Sequence, residues 1–185
     1  MELDKAIKSR KSVRKFSSKE PDWKKIVECV DSMRYSPIAG RNCVLKIILV
    51  DNSELIWKIA DACQQDFIKT SKYVVLVCSN VSRLVNVYEE KGEIYSRQQA
   101  GASIQNFLLK LEEVGLSSCW VGYFVDEQIK KALKIPYNIN IEAVFPVGFD
   151  AEKKRTRKAK IELRNIVYFN SYGDKKPKPE KKMGA

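Results

Sequence analysis

The lack of any histidine narrows the chemistry open to this 185-residue chain before any other observation. A Ser-His-Asp or Cys-His triad, a zinc site built on imidazole and a histidine general base are all excluded. Arginines, thiols, hydroxyls, the backbone and any bound cofactor remain. Arg10, Arg14, Arg155 and Arg157 lie in turn-like segments beside apolar structure, and guanidinium groups suit bidentate contact with phosphate better than lysine does. The five cysteines, Cys29, Cys43, Cys63, Cys78 and Cys119, are odd in number and widely spaced, with no CxxC pair. They read as reduced core thiols rather than as a disulfide framework or metal ligands.

The charge is distributed to match the arginines. The formal net charge is +11, and residues 1–25 hold nine basic and four acidic groups while residues 150–185 hold twelve and five. The intervening residues carry 13 basic and 14 acidic groups, so the excess belongs to the two ends. The ends call for an anion: a nucleic-acid backbone, an anionic membrane surface, or the phosphate of a small ligand held between them. The last dozen residues, rich in Lys and Pro, read as a solvated, flexible tail over 174–185. The N-terminus is charged where a signal peptide carries an apolar core, and no apolar run approaches the roughly 20 residues of a membrane span. No membrane partner and a cytoplasmic location are therefore expected.

Hydrophobic periodicity supplies the elements that must position these groups. Leu3, Ala6 and Ile7 share one face of a short opening helix that stops near Ser9–Ser12. A second helix carries Trp23, Ile26, Val27, Val30 and Met33, with Ser18 and a first-turn Pro21 marking its start and Ser36-Pro37 its end. Val44–Val50 is an apolar β-prone run and Tyr73–Cys78 reads as a buried strand, the two separated by a helix capped by Ser53. Residues 82–94 are polar and ambiguous, open to a mobile helical segment over a site. The longest helix, about Tyr95–Val114, carries the stripe Ala100, Ile104, Phe107, Leu108, Leu111 and Val114 and stops at Gly115. Cys119–Gly122 reads as a strand entering a tight turn, Asp126 as the cap of a helix through Leu133 that Pro136 ends, and Ile141–Phe149 as another strand. Helices and strands alternate, as in an α/β or α+β layered domain with one core, and periodicity leaves strand direction open. No GxGxxG turn and no P-loop occurs.

Five blocks, in order and at matching spacing, resemble the FMN-dependent nitroreductase-like flavoproteins. They are Ala6–Phe16 (AIKSRKSVRKF), Ser36–Gly40 (SPIAG), Ala100–Leu109 (AGASIQNFLL), Gly115–Gly122 (GLSSCWVG) and Phe145–Phe149 (FPVGF), followed by a basic segment and Ile166–Asn170. The resemblance spans residues 2–173, which it identifies as one FMN-binding domain. It implies an α+β sandwich with a mostly antiparallel central sheet flanked by helices, and a homodimer with one FMN in each of two interface clefts. Carried over by position, Arg10, Ser12, Arg155 and Arg157 would hold phosphate and ribityl oxygens, with Lys11 in the same binding loop. Arg14 would approach the N1 and O2 edge of the flavin, where a fixed cation favours the reduced, anionic ring. Trp120-Val121-Gly122 would lay backbone N–H groups near flavin N5, and glycine there permits close approach. Gln65 would offer an amide to the pyrimidine edge, and Ser36, Pro37, Ile38 and Ala39 would close over the cofactor from the partner subunit.

The chain departs from the family where the pattern N-x-Q-P-W is replaced by Arg41-Asn42-Cys43-Val44-Leu45, although Asn42 can stand in for the asparagine. Segment 82–94 is also shorter than the substrate-capping insertions of larger members. The resemblance implies an NAD(P)H oxidoreductase with a two-stage cycle, in which NADH or NADPH delivers hydride to flavin N5 and a nitroaromatic, quinone or similar small acceptor collects it. No side chain is required as a catalyst and no metal is implied. The alternatives are a flavin-binding protein without reductase activity and, less favoured, a basic nucleic-acid-binding module; the split of charge between the ends argues against the latter.

Overall fold

A computed structural model describes residues 1–152 and 161–175. The chain forms two compact units, Met1–Lys153 and Lys154–Ala185. The first is organised around a four-stranded sheet of β1 (Leu45–Val50), β2 (Tyr73–Ser79), β3 (Ser117–Ser118) and β4 (Asn140–Gly148), in the order β1-β2-β4-β3. Every neighbouring pair is antiparallel. The direction that periodicity left open is thereby settled, and the fold is the expected α+β sandwich.

Among the described residues, six α-helices flank the sheet: α1 (Leu3–Ser9), α2 (Trp23–Asp31), α3 (Ser53–Cys63), α4 (Ser82–Tyr88), α5 (Glu90–Glu113) and α6 (Asp126–Leu133). All seven residues of β2 are buried, as a strand covered on both faces requires. Val75, Val77, Phe145 and Val147 point to one face, where they pack with Ile26 of α2 and with Ile104, Phe107 and Leu111 of α5. The Phe107 and Phe145 rings meet edge to face at 5.8 Å. Val74, Leu76, Cys78 and Val144 point the other way, onto Ile59 and Cys63 of α3 and Ile129 of α6. A bulge between Val77 and Cys78 shifts the register against β4, so that Val77 faces Ala143 and Cys78 faces Ile141.

Several boundaries differ from the sequence expectation. The N-cap of α2 is Asp22, whose carboxylate accepts from the Lys24 N–H at 2.9 Å, and Pro21 lies just outside the helix rather than in its first turn. Asn52, not Ser53, caps α3 by accepting from the Leu55 N–H at 3.0 Å. The segment 82–94 is two helices, with α5 beginning at Glu90. In α1 only Ala6 is buried, while Leu3 and Ile7 are exposed. A seven-residue helix lying on α5 meets it along one narrow line, and the smallest side chain permits the closest approach. The stripe on α5 is buried as expected from Ala100 to Leu111, Val114 at its end is partly buried, and Gly115 stops the helix with φ of +79°.

In the second unit, a 3-10 turn spans Leu163–Asn165, the Tyr168 and Tyr172 rings lie 4.8 Å apart, and the Lys175 ammonium sits 4.0 Å over the Tyr168 ring. Lys175 also donates to the Arg164 carbonyl.

Candidate functional site

The arginine segment leaves α1 at Arg10, whose N–H still donates to the Ala6 carbonyl at 3.0 Å. It then runs alongside the sheet. Ser12 bridges to Ser118 in parallel, the Val13 N–H donates to the Ser118 carbonyl at 3.0 Å, and Phe16 bridges to Asp150. Val13 and Phe16 are the buried anchors. The Phe16 ring lies so close to Gly148 that a β-carbon there would stand 2.9 Å from Cδ1, so glycine is what lets this segment seat. With these two side chains turned inward, Ser12 and Arg14 face solvent and Arg10 and Lys11 are half-buried. Lys11 pairs with Asp150 at 2.6 Å. Among the described residues, neither Arg10 nor Arg14 has an ion-pair partner.

The stitch to Ser118 brings the arginines beside the next block. After β3 the chain continues through Cys119 and Trp120 to Val121, which exchanges two 3.0 Å backbone hydrogen bonds with Val144. The expected strand at Cys119–Gly122 is instead a single bridge at Val121, and the two-residue β3 lies just before it at Ser117–Ser118. Trp120 is 44% exposed, with its ring 5.7 Å from Phe145. A β-carbon on Gly122 would meet nothing nearer than Trp120 Nε1 at 3.8 Å, so this turn is open. Burial pushes the Cys119 thiol up from its ordinary pKa, while Arg14, a hydrogen bond from Ser12 and Arg10 pull it down. Arg10, Ser12, Arg14 and the chain entering Trp120 therefore share one electrostatic neighbourhood. The Ser118 hydroxyl, buried within it, has no hydrogen-bond partner among the described residues.

Gln65 begins the 3-10 turn that follows α3, and it is half-buried. The chain leaving Gly122 docks on the same helix end, where the Val125 N–H donates to the Ala62 carbonyl at 2.9 Å. Nearby, Lys69 is held between Asp61 and Asp66, both at 2.8 Å.

Ser36, Pro37, Ile38 and Ala39 form a separate place, fastened to α5. Ser36 is buried, donates to the Met33 carbonyl at 2.8 Å and shares a hydrogen bond with Ser103. Gln99 clamps the far end, accepting from the Val44 N–H at 3.0 Å and donating to the Asn42 carbonyl at 3.1 Å. Between the anchors, Pro37–Ala39 and the α5 residues Tyr95, Gln98, Gln99 and Ala102 line a cleft of about 390 Å³. Tyr95 and Gln98 carry no sequence signal as cleft residues, because they fall in the polar N-terminal part of the helix. Arg155 and Arg157 lie outside the described residues.

Among the described residues, no group of His, Cys, Asp or Glu is placed to hold a metal ion, and no helix is long and apolar enough to cross a membrane.

Residues 59–149 match a family model described as the Nitroreductase family. A protein of Methanothermobacter thermautotrophicus named as a putative NADH dehydrogenase/NAD(P)H nitroreductase is 28% identical over 162 residues, covering 85% of this chain and 82% of the relative. Together these matches indicate the nitroreductase family, a family of oxidoreductases. The fold agrees with that of the NADPH:FMN oxidoreductase of Vibrio harveyi, solved with NAD+, at a TM-score of 0.81 and 18% identity over 93% of this chain and 78% of that one. An FMN-dependent nitroreductase of Clostridium difficile superposes with a TM-score of 0.77 at 20% identity, over 90% of this chain and 98% of its own.

Proposed function

We propose that this nitroreductase-family chain is an FMN-dependent NAD(P)H oxidoreductase acting on a small acceptor such as a nitroaromatic or quinone. Residues 1–173 would form the FMN-binding domain, and two copies in the cytoplasm would hold one FMN in each interface cleft. The observation that carries the reading is the Val13–Ser118 stitch, which sets two guanidinium groups, without carboxylate partners among the described residues, beside the open turn at Trp120–Gly122.

The residues present fit a phosphate-bearing planar cofactor. Arg10 and Ser12 offer charge-assisted and hydroxyl contacts to a phosphate, and the unpartnered Ser118 hydroxyl is a further polar group in reach of that neighbourhood. Arg14 supplies a fixed positive charge, and Trp120 an exposed aromatic face. Bound there, FMN would supply hydride acceptance from NADH or NADPH and hydride donation to the acceptor. The chain itself binds and orients. The absence of histidine is no obstacle, because no residue need act as a general base. Arg155 and Arg157 join the phosphate contacts on the sequence resemblance alone, and Gln65 and the Ser36–Ala39 loop complete the proposed binding set.

Purified protein should be yellow, release FMN on denaturation, and lose its flavin absorbance when NADH or NADPH is added without oxygen. A colourless protein that cannot be reconstituted with FMN would overturn the reading. So would a bound flavin that neither nucleotide bleaches.

A further inference from the structure

We propose that Tyr88 sets the width of the cleft between the Pro37–Ala39 loop and α5, and through it the size of acceptor the enzyme can serve. The inference rests on the reductase reading above. Two parts of the chain far apart in sequence, Tyr88 and Gly40, meet at this cleft. The Tyr88 hydroxyl lies so near Gly40 that a β-carbon on that glycine would be 2.6 Å from it, and 3.4 Å from the ring carbons behind. Gly40 adjoins Ala39, the last residue of the loop wall, and has φ of +55°. On its other side, the Tyr88 ring meets Tyr95 edge to face at 5.2 Å. Tyr95 lines the opposite wall of the cleft. One side chain therefore abuts both walls without itself lining the space between them.

The two ends of the loop cannot adjust independently. Ser36 is bonded to Ser103 at one end, and Gln99 holds Asn42 and Val44 at the other. Only the stretch between is free to move toward α5, and the Tyr88 hydroxyl stands against its end. The wedge is itself firmly backed. Gly92 brings α5 against α4 so closely that a β-carbon there would lie 2.5 Å from the Leu84 carbonyl carbon and the Val85 nitrogen. Tyr88 is thus a positioning residue that acts through Gly40 and Tyr95. Within the cleft, the Tyr95 ring offers an aromatic contact. The Gln99 amide is already engaged with the backbone, which leaves exposed Gln98 to hydrogen-bond an oxygen of the acceptor.

The test compares wild type with Tyr88→Phe and Tyr88→Ala, using nitrobenzene and 1-nitronaphthalene as one-ring and two-ring acceptors with saturating NADH or NADPH. The ratio of kcat/KM for the larger acceptor over the smaller should rise about tenfold in Tyr88→Ala, as a pocket change of this size allows, and by less in Tyr88→Phe. A uniform fall for both acceptors, or an unchanged ratio, would overturn the proposal. The contact has a second readout that needs no turnover. In thermal melts of flavin-free protein, Gly40→Ala should lower Tm, and part of that loss should vanish when Tyr88→Phe removes the hydroxyl. Simple additivity of the two changes would also overturn it. Failure of wild type to bind FMN would instead overturn the reductase reading, and the proposal with it, so the two failures are distinguishable.

Discussion

Cys119 and the other buried thiols differ in what surrounds them, and that difference has a measurable consequence. At Cys119, burial is opposed by Arg14, Ser12 and Arg10. At Cys63, burial acts alone and pushes the thiol from its ordinary 9.0 up to about 12. Cys29 also reaches about 12 and Cys78 about 11, in both cases chiefly through burial. Above pH 9 the unfolded chain loses these protons while the folded chain keeps them. The unfolded state then binds fewer protons, so stability falls as pH rises, by up to about 1.4 kcal/mol per pH unit for each such thiol. Urea unfolding followed from pH 8 to 10.5 should show this decline. Cys63→Ala should start from lower stability, because it leaves a small cavity, yet decline less steeply. Equal slopes for variant and wild type would show that the Cys63 thiol does not contribute to the decline.

At the scale of elements, the α4–α5 corner is the place where packing decides more than propensity. A seven-residue helix is too short to be stable alone, and α4 holds its place by lying against α5 at Gly92. Gly92→Ala would ordinarily favour the helix by about 1 kcal/mol. Here the added carbon meets the Leu84 and Val85 backbone, which cannot swing aside as a side chain would. Gly92→Ala is therefore expected to destabilise the protein and to increase amide exchange in Ser82–Tyr88, measured by hydrogen exchange; a stabilised variant would contradict this packing. The same corner shows what a sequence conceals. The stripe of α5 and the runs of β1 and β2 were legible because each repeats a period over many residues. Residues 82–94 were not, since the decisive contact joins Gly92 to the backbone of another helix. Caps were misplaced by one or a few residues, because Asp22 and Asn52 stand beside equally plausible neighbours and only side-chain direction separates them. β3 was blurred because Ser118 pairs with both Val147 and Ser12. The arginine loop and the tryptophan turn were legible as blocks, but the Val13–Ser118 stitch and the Tyr88–Gly40 contact join distant segments and leave no local pattern.

Across the whole molecule, the question is whether the excess positive charge is a diffuse basic surface or is directed at one anion. The ends carry +5 over residues 1–25 and +7 over residues 150–185, around a middle of −1. A diffuse surface would attract any polyanion, with steep salt dependence and little regard for its identity. Fold geometry favours the second case for the N-terminal share, because Val13 and Phe16 pin the segment and turn Ser12 and Arg14 outward together. FMN and riboflavin separate the two cases, since they share the ring and differ in the phosphate. FMN should bind more tightly, and its Kd should rise with salt as the Debye length shrinks from about 10 Å at 0.1 M to about 3 Å at 1 M. Riboflavin should bind more weakly, with little response to salt. Arg10→Gln should bring FMN toward riboflavin in both respects while leaving riboflavin itself nearly unaffected. Equal affinity for the two flavins, or displacement of FMN by a short oligonucleotide at matched phosphate concentration, would return the charge to the diffuse reading, because a site shaped for one phosphate beside an open aromatic turn has no reason to prefer a polymer.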